Sequence, residues 1–255
     1  MENRKPSITF DCTIHIDENG TTVDMAVPTR KDVKTVAVSS SIKSDFSMLA
    51  KYPGIDTLSL SGTLPPYLPL QKPVRSLILA PNTRCNLSSY TKLAPQVLIA
   101  RQDVDEGISS LFTDSLVQLE VRESRKIRDL TFLTKAPRLQ KLLLEELPEV
   151  TTLPRFSMLP DLYLLRLSQL HKLADIFPLA ESNIKYLDIH FSADRVSGTR
   201  IAEVLLQMPA IDGASVSMID EGKNNRYRII CKHLARMGRE SIVWHVGGYA
   251  KWLEL

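Results

Sequence analysis

Leu116-Val117-Gln118-Leu119-Glu120-Val121 is followed 23 residues later by Leu139-Gln140-Lys141-Leu142-Leu143-Leu144. After a further 23 comes Leu162-Tyr163-Leu164-Leu165-Arg166-Leu167, and after 22 more Ile184-Lys185-Tyr186-Leu187-Asp188-Ile189. The agreement runs past each core: Ile127, Leu130 and Leu133 answer to Val150, Leu153 and Phe156, then to Leu173, Ile176 and Leu179. A fixed period in this range is the mark of a solenoid, in which each unit buries its apolar side only against its neighbours.

Weaker copies flank this stretch. Val33-x-x-Val36-x-Val38, Ile55-x-x-Leu58-x-Leu60 and Val74-x-x-Leu77-x-Leu79 precede it, and Ile211-x-x-Ala214-x-Val216 follows. Near Leu93 two registers stay open, with either Leu98 or the pair Val97 and Ile99 pointing inward; a one-residue slip exchanges the two faces. With Leu93 counted as a coil start, the intervals are 22, 19, 19, 23, 23, 23, 22 and 27 residues. Coils this short hold one strand and a compact return. Prolines in the returns (Pro53, Pro73, Pro95, Pro137, Pro160) suit positions outside a strand ladder. Only the last interval has room for a helix, and Ile201, Val204, Leu205 and Met208 are at helical spacing over 199–208.

The ends read differently. Ile8, Phe10, Cys12, Ile14 and Ile16 alternate with Ser7, Thr9, Asp11, Thr13 and His15, the pattern of a half-buried strand. Asp17-Glu18-Asn19-Gly20 supplies turn chemistry, and Val23, Met25 and Val27 resume the alternation, so residues 1–30 are expected to form a β-hairpin cap. After the solenoid at 31–216, residues 217–255 are expected to cap the far end. They offer an amphipathic helix over 225–237, with Tyr227, Ile230, Leu234 and Met237 on one side, ended by Gly238. Short strands are expected at 241–246 and 252–255.

Composition bounds the setting. Of 255 residues, 44% are hydrophobic and 24% charged, as in ordinary globular proteins, and the net charge of +3 is too small to imply an acidic partner. Cys12, Cys85 and Cys231 show no metal-binding spacing and no disulfide framework. Nothing resembling a secretory leader follows Met1, and no apolar run approaches a membrane span. A cytoplasmic chain without metal or cofactor is the expectation, with export by another signal left open.

The six-residue core and its recurrence resemble the leucine-rich repeat family. The resemblance implies an α/β solenoid: a curved parallel sheet with a mostly irregular convex side, a hairpin cap first and a helical cap last. It also implies a non-enzymatic, monomeric module that binds another protein through its concave face, as an adaptor, an effector or an inhibitor of the toxin-antidote type. Many members carry an asparagine ladder. Here Asn82 occupies that position once, and Ser41, Ser124, Leu147, Leu170 and Ser192 occupy it elsewhere.

In a strand the residues flanking each inward pair project onto the opposite face. Early coils place small groups there: Thr35, Ala37, Ser39; Thr57, Ser59, Ser61; Ser76, Ile78, Ala80. Later coils place larger ones: Gln118, Glu120, Arg122; Lys141, Leu143, Glu145; Leu164, Arg166, Ser168; Tyr186, Asp188, His190. These twelve residues are the candidate partner site, spanning about 15 Å at roughly 4.8 Å per strand, with Leu143 and Leu164 expected as exposed apolar groups.

Two rivals are weighed against it. Ser168, His190 and Asp188 are the raw materials of a nucleophilic triad, but no nucleophile turn or oxyanion hole accompanies them. Lys223, Arg226, Arg228, Lys232, Arg236 and Arg239 make the last helix basic, which suits phosphates of nucleic acid or an anionic surface. No nucleic-acid motif supports the former. Asn86-Leu87-Ser88 matches a glycosylation triplet, read as chance in an intracellular chain.

Overall fold

The computed structural model describes residues 9–42, 46–84, 86–191, 196–218 and 226–244. Ser7, Ile8, Cys85, Ser192 and Lys223, and the strand expected at 252–255, lie outside them. The strands are β1 (Cys12–Asp17), β2 (Gly20–Met25), β3 (Thr35–Ser40), β4 (Thr57–Gly62), β5 (Ser76–Leu79), β6 (Val97–Arg101), β7 (Gln118–Arg122), β8 (Lys141–Glu145), β9 (Leu164–Ser168), β10 (Tyr186–Phe191), β11 (Gly213–Met218) and β12 (Val243–Trp244). They form one open sheet in chain order, except that β1 lies between β2 and β3. Every neighbouring pair is parallel apart from the β1–β2 hairpin.

The repeat dictates the register. Leu119, Leu142, Leu165 and Leu187 are successive partners on β7 to β10, and the row continues back through Leu98, Leu77, Leu58 and Val36 and forward to Ala214. These side chains are buried, and with the apolar residues of the returns they form one continuous core under the sheet. The ambiguity near Leu93 resolves in favour of Leu98, which pairs with Leu77 and Leu119 and is buried with Ala100. Pro95 is therefore the coil start, and both flanking intervals are 21 residues.

Returns are built from short 3₁₀ turns, among them Leu87–Leu93, Glu106–Leu111 and Thr131–Lys135. Asn86 begins the first of these by accepting the Ser88 amide at 3.2 Å, a local role for the glycosylation-like triplet. Among the described residues ahead of β11, only the long interval before that strand holds a helix, α1 (Gly198–Gln207), which buries Ile201, Val204 and Leu205. Among the described residues there is no asparagine ladder. Asn82 is exposed, with φ +66°, while Thr83 donates to the carbonyls of Leu60 and Ala80, and the Ser124 hydroxyl donates to the Val104 carbonyl.

At the far end α2 (Arg226–Arg236) packs on α1 through buried Ile230 and Leu234. Gly238, with φ +66°, closes it, as the Arg239 amide donates to the Leu234 carbonyl at 2.9 Å. Met237 falls beyond the last turn and is exposed, not part of the buried side expected from its spacing. Of the strand expected at 241–246, Ile242 is in a 3₁₀ turn and Val243 and Trp244 form β12, while residues 245 and 246 lie outside the described residues.

At the near end Cys12, Ile14 and Ile16 point into the core, and Val23 is exposed on the edge strand. The Asp11 carboxylate accepts the backbone amides of Lys34 and Thr35, both at 2.9 Å, joining the hairpin to the first coil. Those bonds hold its carboxyl below the usual carboxylate range. Asp11→Ala should lower stability by about 1–2 kcal/mol in urea melts at neutral pH. Because the folded-state pKa is depressed, that contribution is present above the unfolded value of 3.8 and fades as pH falls through the folded one. A loss independent of pH would contradict this account.

Candidate functional site

The face of the sheet opposite the core carries three columns of side chains, aligned because the parallel register keeps equivalent positions adjacent. All twelve candidate residues lie on this face, in β7 to β10. Their exposure is not what the alternation implies. Gln118, Glu120, Lys141, Glu145, Tyr186, Asp188 and His190 are half-buried, whereas Arg122, Leu143, Leu164, Arg166 and Ser168 are buried. Leu143 and Leu164, expected to be exposed, are not. Neither belongs to the apolar cluster beneath the sheet, so their cover comes from the open face itself. In register, Leu143 lies between Glu120 and Arg166, and Leu164 between Lys141 and Tyr186. Long polar side chains shield apolar neighbours with their stems.

The charges meet one another. Arg122 Nη2 donates to Glu120 Oε2 at 2.9 Å, while its Nη1 lies 2.8 Å from Glu145 Oε2 on the next strand. Gln118 Nε2 donates to Glu120 Oε1 at 3.2 Å. One coil further, Arg166 Nε lies 3.5 Å from Asp188 Oδ2, an ion pair longer than a good hydrogen bond. Burial pushes the Asp188 carboxyl above the ordinary carboxylate range, against the opposing pull of Arg166, Ser215 and His190. The alternating charges of the sequence thus form a fixed network rather than an outward display.

This arrangement does not make a triad. Ser168 is the register partner of His190, but it is buried, and Asp188 pairs with Arg166 rather than orienting the imidazole. Among the described residues no group of His, Cys, Asp and Glu is placed to hold a metal ion, and no helix is long and apolar enough to cross a membrane.

Two features escape the sequence reading. Val97, Ile99 and Arg101 of β6 join the same columns beside Gln118, Glu120 and Arg122; a coil start at Pro95 would have revealed them. Beyond the strand ends, Gln102, Glu123, Glu146 and Gln169 all adopt φ between +54° and +57°. Each amide donates to a carbonyl at the end of the next strand (Arg122, Glu145, Ser168 and His190 in turn), at 2.8–3.0 Å. These four residues, with Arg125 and His171, line a groove of about 520 Å³ beyond the strand ends.

No family model matches the chain, and no curated protein matches it by sequence. Among solved structures, internalin C2 from Listeria monocytogenes is similar in fold at 20% identity, covering 62% of this chain and 69% of that one with a TM-score of 0.44. What decides the architecture is the chain's own geometry: one inward Leu-x-Leu-type strand per coil, stacked in parallel and returned in most coils by a short 3₁₀ turn. The chain folds as a solenoid of leucine-rich-repeat-like architecture.

Proposed function

We propose that this chain is a non-enzymatic module that binds another protein across the open face of its sheet. The supporting observation is the wall from β6 to β10, where half-buried Gln118, Lys141, Tyr186 and His190 stand beside charged side chains already fixed by ion pairs. Groups held in place before contact lose less rotamer freedom on binding. The acidic and amide side chains of the rim groove adjoin the third column, since Glu123 follows Arg122 and Glu146 follows Glu145. A partner lying on the wall would meet both. Adaptor, effector and occluding-inhibitor roles all fit such a surface, and the charge pattern would serve orientation and encounter rate more than affinity.

The test changes half-buried residues and leaves the ion-paired Glu120, Arg122, Glu145, Arg166 and Asp188 in place. Lys141→Glu, Tyr186→Ala and His190→Ala together should weaken capture of the proteins that bind the unchanged chain by at least about tenfold. The melting temperature should stay within about 3 °C. Undiminished capture by this folded variant would move the contact surface off the wall.

A further inference from the structure

The outer side of α2 has no part in the reading above. Ile230 and Leu234 bury one side of the helix, leaving Arg228, Ile229, Lys232, Ala235 and Arg236 exposed at three- and four-residue spacing, one continuous face. Met237 and Arg239, just past the helix end, are exposed as well. No aspartate or glutamate occurs from Arg226 to Arg239. On α1, against which α2 packs, the acidic residue Glu203 is engaged by Arg200 at 3.5 Å. Arg236 complements the partial negative charge at the helix C-terminus. Lys232, nearer the start, has no such use.

Cations interleaved with exposed Ile229 and Met237 distinguish two anionic partners. Along a nucleic-acid backbone the cations would meet phosphates, but the two apolar side chains would stay in water. At a bilayer they enter the boundary between headgroups and acyl chains while the cations remain among the phosphates. We propose that the exposed face of α2 docks the end of the solenoid onto an anionic phospholipid bilayer, leaving the open sheet face clear for its partner.

The full chain is tested by flotation with phosphatidylcholine vesicles, with and without phosphatidylserine. Retention is expected only on the phosphatidylserine vesicles and should weaken as salt rises. Lys232→Ala and Arg236→Ala should each lower the partition coefficient by about fivefold. Ile229→Ser with Met237→Ser should also lower it, and because all four side chains are exposed, circular dichroism should be unchanged. Failure to float with phosphatidylserine at low salt overturns the proposal. Equal flotation of the double serine variant would reduce the contact to charge alone and overturn the insertion. Tighter capture by duplex DNA than by vesicles at equal phosphate concentration would assign the face to nucleic acid instead.

Discussion

Gly62→Ala should lower stability by at least about 2 kcal/mol, seen as an earlier urea midpoint with an unchanged slope. Gly62 ends β4 with φ +80°, and a β-carbon there would lie 1.8 Å from the carbonyl oxygen of Ser40. That oxygen cannot retreat freely, because Ser40 is buried and its carbonyl accepts the Thr63 amide at 2.9 Å. The substitution therefore sets a left-handed backbone penalty and a backbone clash against the joint between the first two coils. The rim supplies the control. Glu123 and Glu146 hold the same kind of left-handed turn with exposed side chains. Glu123→Gly and Glu146→Gly should each gain up to about 1 kcal/mol by removing the β-carbon penalty. If Gly62→Ala melts with the unchanged chain, the close approach of β4 to β3 is misplaced.

Arg166→Glu should cost about 3–5 kcal/mol, because it removes the cation beside Asp188 and adds a second carboxylate to a site with little access to water. Arg166→Met takes the paired guanidinium from Asp188, leaving only Ser215 and His190 to favour its charge, and should also destabilise, whereas Arg166→Met with Asp188→Leu should return close to the starting stability. The pH dependence separates charge from packing. Burial already raises the folded-state pKa of Asp188 above the ordinary aspartate value of 3.8. As pH falls through the raised value, the folded state takes up this proton before the unfolded one does. The deficit of Arg166→Met should therefore shrink toward pH 3.8 and be fully felt at neutral pH. A deficit constant across that window would show that Arg166 acts by filling space. For the same reason Arg166 is a poor probe of partner binding: its loss would be confounded with unfolding.

The winding of the chain was legible in residues such as Leu119, Leu142, Leu165 and Leu187, because a solenoid repeats its core demand at every turn. Leu98 was harder to place. The apolar run Val97-Leu98-Ile99-Ala100 offers acceptable side chains to both faces, and only pairing with Leu77 and Leu119 settles which face is the core. Met237 fits the helical period but falls outside the helix, which stops one residue earlier, ahead of Gly238. The candidate residues were assigned to the correct face, yet their crowding was missed. Alternation states which way Leu143 or Arg166 points and is silent about what stands beside it. Lining up Arg122 with Glu145 and Arg166 with Asp188 across adjacent coils contained that information, because parallel neighbours sit roughly 4.8 Å apart.

Coil length varies here while strand alignment does not. Equivalent inward residues on β4 and β5 are separated by 19 positions, Leu58 to Leu77, and those on β10 and β11 by 27, Leu187 to Ala214, yet both pairs stack in register. The outer arc absorbs the difference, as a short irregular segment without a helical turn in one place and α1 in another. Additions and deletions are thus confined to the back of the molecule, where they alter girth without shifting the wall by a residue. A chain built this way can vary its outline through insertions and its recognition chemistry through substitutions, almost independently of each other.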